Sequence, residues 1–267
     1  MIKRSVCFFM LYHKRPELTR MSIWHMAKVI KMFNEAGHSA QGIVFGDDPR
    51  QEKYAKSLGI DHITVPNKPL SRKFAQAYQY ALLRETEYIC KVDSNNFNSD
   101  EYWRKCIDVM SGEKVASFGT NRFTIVSSNP KEEKTCIFKT RKKIHLCNSG
   151  QFYLNWTLSS CVNFRSVYKE GQSCNFDGVV NEKITSTYSS DTIHTISSDP
   201  DDCFDIKDGD DIHSYESYIN KRPDTYPANL DRSELKNKYE EIRLLDEGFF
   251  SLKNDKIVEP GDEPSET

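Results

Sequence analysis

Strand and helix signals alternate through the first 110 residues, and this alternation constrains the chain more than anything else in it. VCFFMLY (6–12) is an apolar run of strand length. Residues 17–36 follow with a helical pattern, punctuated by Pro16 at the start and Gly37 past the end. A second strand is predicted at 41–45, a helix at 50–58 closed by Gly59, and a short strand at 62–65. Residues 71–84 read as a helix, 88–92 as a fourth strand and 99–110 as a further helix. Alternation of this kind builds right-handed βαβ units on a parallel sheet. The predicted class is α/β, a mixed but mainly parallel sheet flanked by helices.

The pattern changes after residue 110. Residues 116–165 read as several strands joined by polar loops, and 174–221 are rich in Asp, Ser and Tyr. A late helix is predicted over 232–250, and 258–267 form an acidic, Pro-containing tail. The simplest organisation is one domain over 1–257, with a first half at 1–110 and a loop-rich second half at 111–257. With 267 residues, 37% of them hydrophobic, the chain can bury a sizeable core.

The formal net charge of −2 gives no global attraction to nucleic acid or anionic membrane, so any such partner must meet a local basic patch. No apolar run is long enough to span a bilayer. Lys3 and Arg4 before an apolar run mimic a signal peptide, but His13, Lys14 and Arg15 follow without a cleavage site, so a first strand is expected. Eight cysteines are scattered without CxxC pairs, which suits reduced thiols in the cytoplasm and argues against zinc.

Polar residues gather where the predicted strands end: Tyr12-His13, Gly46-Asp47-Asp48-Pro49 and Asp93-Ser94-Asn95. Each is either a plain turn, since Asp, Ser and Asn bond their own backbone, or part of a ligand edge. In a parallel sheet all three fall along the carboxyl edge, where open α/β folds bind ligands.

The order of the pieces resembles family 2-like glycosyltransferases of the GT-A (Rossmann-like) fold. LYHKRPEL (11–18) is similar to their opening strand and Arg-Pro turn, and IVFGDDP (43–49) to their strand with paired aspartates. VPNKPLSRKFAQAYQYAL (65–82) resembles the turn and basic helix before their metal site. YICKVDSNNF (88–97) falls where they carry a DxD motif, and SSCVNFRSVYKEGQSCNFDGVVNEKI (159–184) is similar to their acceptor-side segment. The resemblance covers about residues 6–215.

It implies a UDP-sugar donor, held by Tyr12, His13 and Arg15, by Asp47 or Asp48 on the uracil or ribose, by Lys68, Arg72 and Lys73 near the diphosphate, and by Asp93 and Ser94. It implies a divalent cation, Mn2+ or Mg2+, on Asp93, Asn95 and His213, with His194 a second choice. Hard cations want oxygen ligands, and Asn95 offers only a neutral carbonyl where the family has a carboxylate. Asp177 and Glu182 are the expected acceptor-side acids, as general base in an inverting enzyme or positioning group in a retaining one. Asp177 could instead be a turn former, and His213 or His194 an ordinary surface or hydrogen-bonded histidine.

The acceptor is signalled by KEEKTCIFKTRKKIH (131–145), where Lys139, Arg141, Lys142 and Lys143 could grip a phosphate backbone or simply coat a solvated hairpin. The chain resembles glycosyltransferases of T-even-type phages that decorate hydroxymethylcytosine, particularly the kind that adds a second glucose to the first. This implies UDP-glucose and double-stranded DNA carrying modified cytosine as partners. Arabinosyl transfer to such DNA, action on a cell-surface polysaccharide precursor, and a non-catalytic sugar-nucleotide-binding module are the alternatives. Neither 17–36 nor 232–250 has the basic-and-aromatic face of a membrane-lying helix.

Overall fold

The computed structural model describes residues 2–139, 146, 149–164, 168, 176–188, 192–196, 202–207, 215, 218, 225–228 and 230–251. Among these, the strands form two sheets, and the polar run DSNN is the step between them. Strand β4 (Tyr88–Asp93) lies in the first sheet; after a turn at Ser94 and Asn95, β5 (Asn96–Asn98) lies in the second.

The first sheet has the order β10-β6-β9-β4-β1-β2-β3. Strands β1 (Ser5–Leu11), β2 (Ser39–Gly46), β3 (Asp61–Thr64) and β4 pair in parallel, as the alternation predicts. Strand β9 (Gln151–Leu154) adds antiparallel to β4 and to β6 (Ser117–Gly119), and β10 (Ile193–Thr195) closes the far edge parallel to β6. The crossover helices are α1 (Pro16–Glu35), α2 (Pro49–Ser57) and α3 (Leu70–Leu82), followed by α4 (Asp100–Ser111).

Strand β1 is buried on both faces, which is why its sequence is a continuous apolar run rather than an alternating one. Val6, Phe8 and Met10 join a core with α1 and α4, including Phe33, Trp103 and Phe152. Cys7 and Phe9 face the opposite core, with Ala77, Tyr78 and Ala81 of α3. Leu158 of α5 (Asn155–Cys161) and Val180 and Ile184 of α6 (Phe176–Thr187) complete that side. Each such fully buried large apolar side chain contributes about 1.5–3 kcal/mol.

The second sheet has the order β12-β8-β7-β11-β5, from β7 (Arg122–Ser127), β8 (Cys136–Lys139), β11 (Cys203–Lys207) and β12 (Thr225–Pro227). Strand β5 comes from the first 110 residues, while β6, β9 and β10 come from later ones, so each sheet draws on both stretches of the chain.

The helix predicted over 232–250 is two short helices, α7 (Arg232–Lys238) and α8 (Glu240–Asp246). Tyr239 between them is extended at φ −123°, ψ 120°, and its ring packs on Phe204 at 4.7 Å and Phe97 at 6.1 Å. Burying that ring against the second sheet outweighs one turn of helical hydrogen bonding. Helix α8 is tied to α1 by Glu241, which accepts from His25 Nδ1 at 2.8 Å and lies 3.5 Å from Lys28 Nζ. His25 Nε2 accepts from the Trp103 indole at 3.1 Å and from the Asn98 amide at 3.3 Å.

Six described cysteines are free thiols. Among the described residues no helix is long and apolar enough to cross a membrane.

Candidate functional site

Register places the three strand-end clusters side by side. Leu11 of β1 pairs with Phe45 of β2 on one side and with Asp93 of β4 on the other. Tyr12, Asp47 and Ser94 therefore leave the sheet together at its carboxyl edge. The chain turns sharply there: Lys14 and Arg15 both hold left-handed backbone, at φ 56° and 48°. For side-chain-bearing residues this costs about 1–2 kcal/mol each and collects at functional sites.

Tyr12 is the pivot. Its amide donates to Phe45 O at 3.0 Å, and its hydroxyl meets His62 Nε2 at 2.9 Å and accepts from Asp48 N at 3.2 Å. The ring lies so close to Gly46 that a Cβ there would come within 2.1 Å of it, so only glycine fits. Burial raises the Tyr12 hydroxyl above the usual phenol range and lowers His62, keeping both neutral.

The paired aspartates divide their work. Asp48 caps α2, accepting from Arg50 N at 2.9 Å and pairing with the Arg50 guanidinium at 2.8 Å, and those bonds hold its carboxyl below the usual range. Asp47 is exposed and makes no hydrogen bond or ion pair among the described residues. The first of the pair is the one open to a ligand.

Lys73 is 1% exposed, with its ammonium donating to Tyr12 O and to Asn67 Oδ1 at 3.1 Å and lying 5.6 Å from the Tyr12 ring centroid. Burial pulls it down to about 8 despite the charge of Asp47. His13, Lys68 and Arg72 are exposed nearby in sequence. Partial burial, then the Lys73 charge, lowers the His13 pKa. Arg15 Nη2 donates to Ser94 Oγ at 3.2 Å, tying the end of β1 to the end of β4.

Within the DSNN run the residues part company. The Asp93 side chain is 28% exposed and pairs with Lys91 Nζ at 2.5 Å. Asn95 is buried and turned to the second sheet, donating to Asp205 Oδ1 at 2.8 Å and Ile206 O at 2.9 Å. The sequence grouped Asn95 with Asp93 as cation ligands; in the structure its amide nitrogen braces β11 instead.

A divalent cation therefore does not fit the described donor set. The carboxylate of Asp93 is paired with Lys91, and Asn95, two residues on, is held by its amide nitrogen to Asp205 and Ile206 O of β11. Among the described residues no three His, Cys, Asp or Glu side chains cluster to hold a metal. His213 lies outside the described residues, and His194 is exposed on edge strand β10.

Arg141, Lys142 and Lys143 also lie outside the described residues, while Lys139 ends β8 and is exposed. Glu182 is exposed on α6. Asp177 sits in the first turn of α6. Further along that helix, Asn181 Oδ1 accepts from Gln151 Nε2 at 2.8 Å, and Asn181 Nδ2 donates to Leu146 O at 3.2 Å.

Sequence reasoning missed two contributors. Lys91 was taken as one more residue of a buried strand, yet its ammonium is the partner of Asp93. Ser149 and Gly150 reach the end of β4, where Gly150 N donates to Lys91 O at 2.9 Å. Gly150 has φ 74°, and a Cβ there would lie 2.3 Å from Asn98 Nδ2. The signal was a lone glycine opening an apolar strand, a mark of close backbone approach.

The fold is GT-A-like. Over 77% of this chain and 37% of that one, it superposes on S. aureus TarS with a TM-score of 0.50 and 13% identity. The TarS 1–349 segment gives a TM-score of 0.50 and 11% identity over 95% of this chain and 74% of that one. The same segment in complex with UDP gives 0.49 and 12% identity over 76% and 60%. The chain thus spans little more than a third of full TarS. No family model and no curated protein matches it.

Proposed function

We propose that the chain is a UDP-sugar-dependent glycosyltransferase whose donor lies across the carboxyl ends of β1, β2 and β4. The observation that carries this reading is the convergence of Tyr12, Asp47, Lys73 and Asp93 at one edge of a parallel sheet in a GT-A-like fold. Ligands of open α/β sheets bind at that edge. TarS 1–349, which shares the fold, has been crystallised with UDP.

In this reading Asp47 accepts from the uracil or ribose, Asp93 and Ser94 face the ribose, and Arg15, Lys68, Arg72 and Lys73 meet the diphosphate with His13 beside them. Cationic groups fixed where the leaving diphosphate gathers charge stabilise the transition state most. Asp177 or Glu182, both on α6, is the acceptor-side acid. It takes the acceptor hydroxyl's proton if the enzyme inverts, or positions that hydroxyl if it retains.

The specific form proposed is glucose from UDP-glucose onto glucosylated hydroxymethylcytosine in DNA. It rests on the resemblance to phage enzymes and on the basic segment. In the described part of that segment Lys131, Lys134 and Lys139 are exposed, against Glu132 and Glu133. Phosphate contacts would give binding that weakens as salt rises.

The test is a donor screen with the wild type and Asp93→Ala. UDP-glucose turnover that Asp93→Ala abolishes, with transfer to glucosylated DNA, is the expected result. Turnover of a UDP-pentose would replace glucose with arabinose, and transfer only to a surface polysaccharide precursor would remove the DNA acceptor. No turnover of any nucleotide sugar would leave a binding module.

A further inference from the structure

Two cations stand side by side on the second sheet without an acid between them. Arg122 opens β7 and Lys139 ends β8, and the antiparallel register sets the two directly opposite each other. Residues opposed in this way project from the same face of a sheet, their Cβ atoms about 5 Å apart, and like charges so placed destabilise the pair. Arg122 is half-buried and Lys139 exposed, and among the described residues neither side chain makes a hydrogen bond or ion pair. Lys207 on the neighbouring β11, by contrast, pairs with Asp205 at 2.8 Å. The backbone of Arg122 is fixed by Thr120, whose Oγ1 donates to Arg122 O at 3.0 Å and accepts from Arg122 N at 3.3 Å.

The pair borders the carboxyl edge of the first sheet. Strand β6 is antiparallel to β9 and β9 to β4, so β6 runs with β4 and ends, at Gly119, on the same edge. Only Thr120 and Asn121 separate Gly119 from Arg122, about 10 Å of chain at full extension. Two strand spacings, about 10 Å, separate β6 from β4. Arg122 therefore stands within about 20 Å of the end of β4, on the side away from β1 and β2. That is also the side of α6, whose Asn181 bonds to Gln151 of β9.

We propose that Arg122 and Lys139 together grip one backbone phosphate of the DNA acceptor. The proposal rests on the acceptor reading above and deepens it with a residue outside the basic segment. A phosphate has oxygens for both groups: the planar guanidinium fork takes two, and the ammonium meets another as a point charge. An anion between the two cations relieves the repulsion that the free protein carries. With a net charge of −2 the chain as a whole does not attract DNA, so a local contact of this kind must supply the attraction.

The experiment is fluorescence anisotropy of the full chain with a labelled short DNA duplex across a salt series, with melting temperatures measured in parallel. Arg122→Glu turns the like-charge pair into an ion pair, so its melting temperature should equal or exceed that of wild type. Its duplex affinity should fall at least about tenfold, and the plot of log affinity against log salt should be shallower by about one or more. Arg122→Lys, which keeps the charge, should retain most of the affinity. Lys139→Glu, at an exposed position, should behave like Arg122→Glu and carries the test if that variant fails to fold. Duplex affinity of both glutamate variants within about twofold of wild type overturns the proposal. So does a wild type that ignores the duplex at low salt, or that binds poly(glycerol phosphate) in its place; either result leaves the donor site standing. UDP titration of the wild type reports on the donor separately: a chain that binds no UDP but loses the duplex in Arg122→Glu keeps the phosphate grip and loses the donor reading.

Discussion

The two sheets treat the same kind of polar residue in opposite ways. In the first, Asp47, Lys73 and Asp93 stand at strand ends and helix starts, at an edge where a ligand can reach. In and against the second, Asn95, Asp205, Lys207 and Arg232 are buried and bond to one another, to Asp246 or to backbone carbonyls. A buried polar group with partners fixes geometry; one held at an edge with spare valence does chemistry. The difference predicts that changes on the first sheet alter binding and turnover, and changes on the second alter stability.

The largest expected effect is on the second sheet. Arg232 pairs with Asp246 at 2.5 Å and donates to Ser127 O of β7, so Arg232→Met leaves a buried carboxylate and a bare carbonyl. A loss of about 3–5 kcal/mol is expected in denaturant unfolding, with UDP affinity of the folded fraction unchanged.

Next is Asp93→Ala, expected to cut transfer about 100-fold, the scale of losing one preorganised charged group. Its melting temperature should stay within a few degrees of wild type, since Asp93 is partly exposed. Equal losses of stability and turnover would erase the distinction between the sheets.

Asn95→Ala comes third. Removing its bonds to Asp205 and Ile206 O should cost about 1–3 kcal/mol, read as a lower melting temperature, with UDP affinity nearly constant. A large drop in donor affinity instead would put Asn95 back in the site.

The smallest effect is a pH dependence. Lys73, held down to about 8 by burial, loses its charge as pH rises through that value, so UDP affinity should fall several-fold between about pH 8 and 10. Lys73→Met should flatten that profile.

The same contrast explains what was legible in the sequence. Strands β1 to β4 of the first sheet are neighbours in sequence joined through helices, so periodicity and Gly/Pro punctuation placed those elements to within about two residues, whereas β6, β9 and β10 come from later residues and were not placed one by one. Tyr12, Asp47 and Asp93 could be grouped because a parallel sheet puts all its strand ends on one side. The second sheet pairs Asn96–Asn98 with Cys203–Lys207, more than a hundred residues away, and three-residue strands carry no periodicity to read. Hence the turn at Ser94 and Asn95 hid that the Asn95 side chain bonds to the second sheet. The break at Tyr239 was likewise invisible, because an aromatic contact with Phe204 created it. Lys91 was overlooked because strand periodicity marks a residue as inside without showing where its ammonium emerges.

The most direct test of the donor site is a crystal structure of the chain grown with UDP. The account predicts the uracil or ribose against Asp47 and Tyr12 and the diphosphate within reach of Lys73 and Arg15, at the ends of β1, β2 and β4. UDP bound anywhere else, or an edge left without nucleotide at saturating UDP, would contradict it.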